Sequence, residues 1–100
     1  MPLTAVAKLA DLPPGKAKQV VAQGAVLALY NVGGTVYATD GTCLHRGGPL
    51  GEGDLDGRIV TCPLHGWTYD VTSGQSHVNP MARLRTFRVV VEDGEVKVDL

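Results

Sequence analysis

Two short segments, Cys43-Leu44-His45 and Cys62-Pro63-Leu64-His65, each offer one thiolate and one imidazole, and 16 residues separate His45 from Cys62. Gly47, Gly48 and Gly66 follow the histidines and Pro63 interrupts the second segment, so both read as turns. A turn lets the backbone wrap a small inorganic core and aim its N–H groups at it, and glycine permits the close approach. A centre that uses all four side chains is therefore reached by two loops, which constrains this chain more than any other feature.

The mixture of donors narrows the chemistry. A usual zinc finger takes its cysteines from one knuckle and its histidines from the other. Here each loop gives one of each. A binuclear iron centre can take both thiolates on one iron and both imidazoles on the other, the arrangement in which two histidines replace two cysteines of a [2Fe–2S] site. A structural zinc ion remains compatible with the softness of the donors. A Cys43–Cys62 disulfide would leave both histidines unexplained.

The rest of the chain is a series of short apolar runs between regular turn signals. Leu3–Leu9, Lys18–Ala22, Ala25–Val32, Thr35–Thr39, Arg58–Thr61, Trp67–Val71, Leu84–Glu92 and Glu95–Leu100 read as strands. Turns are expected at Asp11–Gly15, Gly24, Gly33-Gly34, Thr72–Gly74 and Asp93-Gly94. Thr4–Ala10 and Pro14–Gln23 compete weakly as helices, with Pro13, Pro14 and Gly15 against them. Many short strands imply an all-β sandwich or small barrel. Asp40 to Gly57, with six glycines and Pro49, reads as one long functional loop.

Bulk properties exclude several classes. A chain of 100 residues fits one domain, and it buries only about 60–65% of its unfolded surface, so a bound metal centre adds useful stability. Nine Lys+Arg against ten Asp+Glu leave a formal charge of −1, with no footprint for nucleic acid or an anionic membrane. No apolar run approaches the roughly 18–20 residues of a membrane span. The N-terminus shows neither a signal-peptide pattern nor a twin arginine, so the expectation is a complete cytoplasmic chain. Two cysteines are too few for a secreted disulfide scaffold. No Ser-His-Asp set, phosphate loop or carboxylate pair points to catalysis.

Cys43-Leu44-His45-Arg46-Gly47-Gly48, followed by Cys62-Pro63-Leu64-His65-Gly66-Trp67-Thr68-Tyr69-Asp70, resembles the two cluster-binding boxes of the Rieske family. The short strands on either side agree with that family's β-sandwich. The resemblance implies one Rieske-type [2Fe–2S] cluster per chain. Cys43 and Cys62 would bind the buried iron; His45 and His65 would bind the outer iron, where an electron leaves. It also implies a base from residues 1–40 and 71–100 and a cluster-binding subdomain from 41–70.

The respiratory class of the family adds a cysteine to each box. Those positions are Gly48 and Leu64 here, so that class's disulfide is impossible. That class also carries a serine where this chain has Trp67, which removes a hydrogen bond to cluster sulfide. Tyr69 keeps the matching tyrosine and can donate to a cysteine sulfur. Loss of one donor places the expected potential in the lower part of the Rieske range of about −150 to +300 mV. Reduction should raise the pKa of the ligand histidines, coupling electron to proton uptake at high pH.

What remains is the soluble, oxygenase-associated Rieske ferredoxin, a one-electron carrier and not an enzyme by itself. The resemblance implies a flavin-dependent NAD(P)H reductase and a terminal oxygenase as transient partners. Alternatives are the small Rieske subunit of an assimilatory nitrite reductase and a redox-sensing or structural subunit. Leu44, Pro49, Leu50 and Leu64 are candidates for an apolar collar around the histidines, against generic loop packing. Trp67 and Tyr69 read as core residues that also wall off the cluster. Arg46 is a candidate docking contact against an ordinary exposed arginine, and Glu52, Asp54 and Asp56 form an acidic run read as a solvated turn, with docking on a basic reductase or oxygenase surface as the alternative. His77 is read as a non-ligand, and Pro80 as part of a loop closing over the cluster.

Overall fold

The computed structural model of the chain describes residues 3–42, 48–64, 66–79 and 81–99. Cys43, Leu44, His45, Arg46, Gly47, His65, Pro80 and Leu100 lie outside the described residues. Ten strands follow in order: β1 (Leu3–Lys8), β2 (Ala17–Ala22), β3 (Ala25–Val32), β4 (Thr35–Asp40), β5 (Asp54–Asp56), β6 (Ile59–Thr61), β7 (Thr68–Asp70), β8 (Thr86–Phe87), β9 (Val89–Glu92) and β10 (Glu95–Asp99). They form three antiparallel sheets, β1-β10-β9, β2-β3-β4-β8 and β5-β6-β7. The fold is all-β, as the turn spacing predicts. Among the described residues no helix is long and apolar enough to cross a membrane.

Turn chemistry sets the hairpins. Val32 pairs with Thr35, and Gly33 and Gly34 between them have φ of 59° and 100°. Positive φ at both central residues gives the tight turn whose twist suits flanking strands. The β2–β3 and β9–β10 hairpins use Gln23-Gly24 and Asp93-Gly94 in the same way.

The centre of the molecule is β3, whose side chains alternate between two cores. Ala28 and Tyr30 face one cluster, with Leu50, Val60, Cys62, Tyr69, Val71 and Leu84. Leu27 and Leu29 face the other, with Leu12, Val36, Ala38, Val96 and Val98. One strand thus joins the β1-β10-β9 layer to the layer that carries Cys62. Buried polar groups on β3 and β4 are paired. The Thr39 hydroxyl donates to the Asp40 carbonyl at 2.9 Å, so the Tyr30 hydroxyl, 2.9 Å away, donates to Thr39. Burial raises the Tyr30 pKa well above its ordinary value. The Asn31 amide donates to Leu12 O at 2.8 Å and its oxygen accepts from Gly34 N at 2.8 Å, tying the N-terminal crossover to the hairpin.

Two expectations need correction. The Asp40–Gly57 stretch is not one loop: Leu50–Glu52 is a 3-10 turn and Asp54–Asp56 is a strand, so the acidic run is only partly on a turn. Leu55 packs against the first core while Asp54 and Asp56 face solvent, a period-two pattern too short to stand out. Leu84–Glu92 is not one strand: Thr86–Phe87 pairs with β4, Val89–Glu92 pairs with β10, and Arg88 between them lets the chain change sheets. Leu12, inside an expected turn, is fully buried.

Candidate metal centre

The β6–β7 hairpin builds the second ligand segment. Thr61 pairs with Thr68, and Cys62 N–H donates to Trp67 O at 2.7 Å, closing the neck of the loop that carries residues 63–66. The Cys62 side chain turns inward and is 1% exposed. The Leu64 N–H approaches Cys62 Sγ at 3.4 Å. A backbone donor aimed at a sulfur stabilises negative charge there, as a thiolate ligand requires.

The first segment leaves β4 and returns through a similar neck. Thr42 bridges to Pro49, and Leu50 N–H donates to Gly41 O at 3.0 Å. Gly48, at the end of the first box, lies directly against the second: a Cβ there would sit 2.7 Å from Cys62 Sγ and 3.2 Å from Leu64 Cγ. Gly48, the last residue of the first box, therefore meets the second box at the Cys62 sulfur. Gly48 leaves space on the face of that sulfur that a side chain would fill. This space, the buried thiol and the backbone donor fit a bridged iron–sulfur core held by both boxes. Of the four expected ligands, Cys62 alone is among the described residues; Cys43, His45 and His65 fall outside them.

Tyr69 on β7 is fully buried in the same cluster as Cys62, and Trp67 packs against that cluster. Their ring centroids are 6.5 Å apart at 43°. Tyr69 is a core residue and Trp67 is half-buried against the same core, the packing that residue type and spacing predict. Of the collar candidates, Leu44 lies outside the described residues, as do both histidines. Leu50 is fully buried core, Pro49 is half-buried, and Leu64 is 44% exposed beside the ligand loop. His77 is exposed and its N–H donates to Thr68 O at 2.9 Å.

Behind the hairpin, Asp70 closes the 70–74 turn. It accepts from Thr72 N and Thr72 Oγ1, and Arg58 Nε lies 3.2 Å from its carboxylate. Burial opposes ionisation, but the Thr72 bonds and the charges of Arg58 and His77 outweigh it and hold the pKa below the ordinary carboxylate value. A carboxyl lowered in the fold adds stability above its unfolded pKa and loses it as pH falls through the folded one. Arg58 is 67% exposed, so the pair contributes less than about 1 kcal/mol. Unfolding of Asp70→Asn and the parent protein should therefore converge as pH falls below 3.8. A gap that does not shrink as pH falls through the Asp70 titration would show that the carboxylate charge is not its source.

Sequence reasoning missed the clamp at the first neck. Gln19 on β2 donates through Nε2 to Gly41 O at 2.9 Å and accepts at Oε1 from Gly51 N at 2.7 Å. A lone glutamine in a strand carries no signal; the spaced Gly51 and Gly53 are the only hint of close backbone packing there.

Comparison with known proteins agrees with this site. The Rieske [2Fe-2S] domain model matches residues 3–88. The ferredoxin component of the naphthalene 1,2-dioxygenase system of Pseudomonas aeruginosa is 38% identical over 93 residues, covering 92% of this chain and 89% of that one. The Sphingomonas yanoikuyae B1 ferredoxin superposes with a TM-score of 0.90 at 33% identity, covering 99% of both chains. A chain in a complex of reduced oxygenase and oxidized ferredoxin in carbazole 1,9a-dioxygenase superposes with a TM-score of 0.86 at 40% identity, covering 96% of this chain and 91% of that one. A family match over residues 3–88, with Gly48 of the first box against the buried Cys62 sulfur of the second, makes this chain a member of the Rieske [2Fe–2S] family, a ferredoxin whose cofactor is a Rieske-type cluster.

Proposed function

We propose that the chain takes single electrons from a flavin-dependent NAD(P)H reductase and delivers them to a terminal oxygenase. Cys43 and Cys62 hold one iron of the cluster, and His45 and His65 hold the other. The observation that carries this reading is the buried Cys62 Sγ, with Gly48 of the first box and the Leu64 N–H against it. The relatives that share the fold at 33–40% identity over most of their length are ferredoxins, which supports a carrier role. When bound, the cluster supplies one reversible electron. The chain's own residues set its conditions: the apolar cluster around Cys62 and Tyr69 keeps water from the sulfur, and the Leu64 N–H favours the more negative state. Residues 41–70 form the cluster-bearing part, and 1–40 with 71–100 form its base. A cytoplasmic site suits the reading, because NAD(P)H is supplied there.

The test is reconstitution. The purified holoprotein is mixed anaerobically with NADH and a flavin reductase of a naphthalene-type dioxygenase system, and its visible spectrum is followed. Reduction of the cluster, then reoxidation on adding the matching oxygenase with its substrate and O2, supports the carrier. A protein that stays oxidised with the reductase, and that co-purifies tightly with one large enzyme instead, would be a fixed subunit.

Tyr69→Phe tests the expected bond to a cysteine sulfur. A hydrogen bond worth about 1 kcal/mol more to the reduced cluster corresponds to about 40 mV for one electron. The variant's potential should fall by about that amount in a redox titration, with its fold unchanged. An unaltered potential would leave Tyr69 as core packing alone.

A further inference from the structure

The first ligand segment is a loop whose two ends are pinched together, and the pinch involves a side chain from elsewhere. Gly41 O receives two donors: Leu50 N at 3.0 Å across the neck, and Gln19 Nε2 at 2.9 Å from β2. Gln19 Oε1 receives the Gly51 N–H at 2.7 Å. One carboxamide therefore spans both ends of the neck. Its two partners, a carbonyl and an N–H, leave only one orientation of the amide that satisfies both. Gly51 lies so close that a Cβ there would be 2.4 Å from the Gln19 backbone nitrogen. Gln19 is itself held in register, pairing with Ala28 on β3, a residue of the core that contains Cys62.

We propose that Gln19 is a positioning residue for the cluster: by bridging Gly41 and Gly51 it sets the width of the first neck and the placement of the first box against Cys62. The inference rests on the reading that Cys43 and His45 are ligands, since it concerns how their segment is held. The base of the first box is fastened to the same sheet whose opposite neighbour packs on the second box. A relay from β2 through one side chain thus links the two ligand segments more rigidly than the single main-chain bond between Gly41 and Leu50. A loop held at both ends resists spreading when the cluster's charge changes.

The experiment compares holoproteins carrying Gln19→Leu, Gln19→Glu and Gln23→Asn with the parent. Gln23 carries a similar amide, donating to Thr4 Oγ1 at 2.8 Å, but bridges no ligand segment. Three readouts are taken: cluster release into excess chelator, the redox potential, and the electron paramagnetic resonance g-values of the reduced state. Gln19→Leu removes both bonds, and cluster release should be about tenfold faster, with displaced g-values and a shifted potential. Gln19→Glu keeps an acceptor for Gly51 N and should fall between Gln19→Leu and the parent. Gln23→Asn should match the parent in potential and g-values.

Cys43→Ser, prepared alongside, separates the two levels of the argument. If Cys43→Ser loses its cluster but both Gln19 variants keep the parent's release rate, potential and g-values, the positioning role is overturned and the ligand reading stands. If Cys43→Ser keeps a full Rieske signal, the ligand reading fails and takes the proposal with it. A Gln19→Leu protein with a lowered unfolding temperature but an unmoved potential and spectrum would also overturn the role, since general loss of stability leaves the cluster's electronic surroundings intact.

Discussion

Cys62→Ser is expected to strip the protein of its cluster, taking bound iron from about two atoms per chain to near zero and abolishing the reduced-state paramagnetic signal. The serine hydroxyl does not ionise at neutral pH and is a hard donor, so it replaces a thiolate poorly on iron. The structural setting makes the loss larger. Cys62 is 1% exposed, at the point where Gly48 of the other box arrives. Without the metal, nothing covalent joins the two segments, and the free energy of cluster binding no longer adds to folding. The thermal midpoint should drop as well. Cys62→Ala, which adds no hydroxyl to the apolar cluster, separates these causes: the hydroxyl itself costs about 1–3 kcal/mol when buried without a partner. Iron and acid-labile sulfide assays with paramagnetic resonance decide the matter. A Cys62→Ser protein that keeps the parent's iron and its signal would remove Cys62 from the ligand set and with it the proposed electron-carrier chemistry.

Among the described glycines between positions 41 and 70, Gly53→Ala should be the most damaging added methyl group. A Cβ at Gly53 would lie 2.2 Å from the Thr61 carbonyl oxygen, backbone that cannot turn aside as a side chain can. Thr61 is the last residue of β6, pairs with Asp54, and immediately precedes Cys62. Relief of the contact therefore means separating β5 from β6 or moving the stem of the second box. Overpacking of this kind costs about 1–3 kcal/mol and occasionally more. In a domain of this size, where total stability is about 5–15 kcal/mol, that is a substantial fraction. The expected results are a lower denaturation midpoint and faster cluster release than the parent shows. Equal midpoints and equal release rates would mean that β5 can move away freely and plays no part in holding the ligand loop.

Much of the strand plan was legible because the signals are local. Ala25–Val32 and Thr35–Thr39 stand out as β-rich runs joined by Gly33-Gly34, and the two-residue turn follows from what only glycine does easily at both positions. Strand β5 was hidden in a glycine-rich stretch because three residues, Asp54-Leu55-Asp56, hold too little pattern to rise above a loop. The break at Arg88 was hidden because the partial alternation of Leu84 to Phe87 runs straight on into Val89–Glu92; only pairing partners on two different sheets divide them. Leu12 read as turn because its neighbours are prolines and glycine, yet Asn31 anchors its carbonyl and the second core takes its side chain.

By itself, the sequence offered a donor set, two Cys–His pairs among turn-forming residues, a pattern whose residue types and spacing alone resemble the Rieske boxes. It also specified an all-β chain, because turn residues and β-branched runs act over a few neighbours. Tertiary structure decided what depends on distant contact. It put Gly48 against the Cys62 sulfur, gave β3 a core on each face, and brought the Gln19 amide across the neck of a loop 22 to 32 residues further on. Such contacts form when sheets stack, and no local pattern encodes which surfaces will meet.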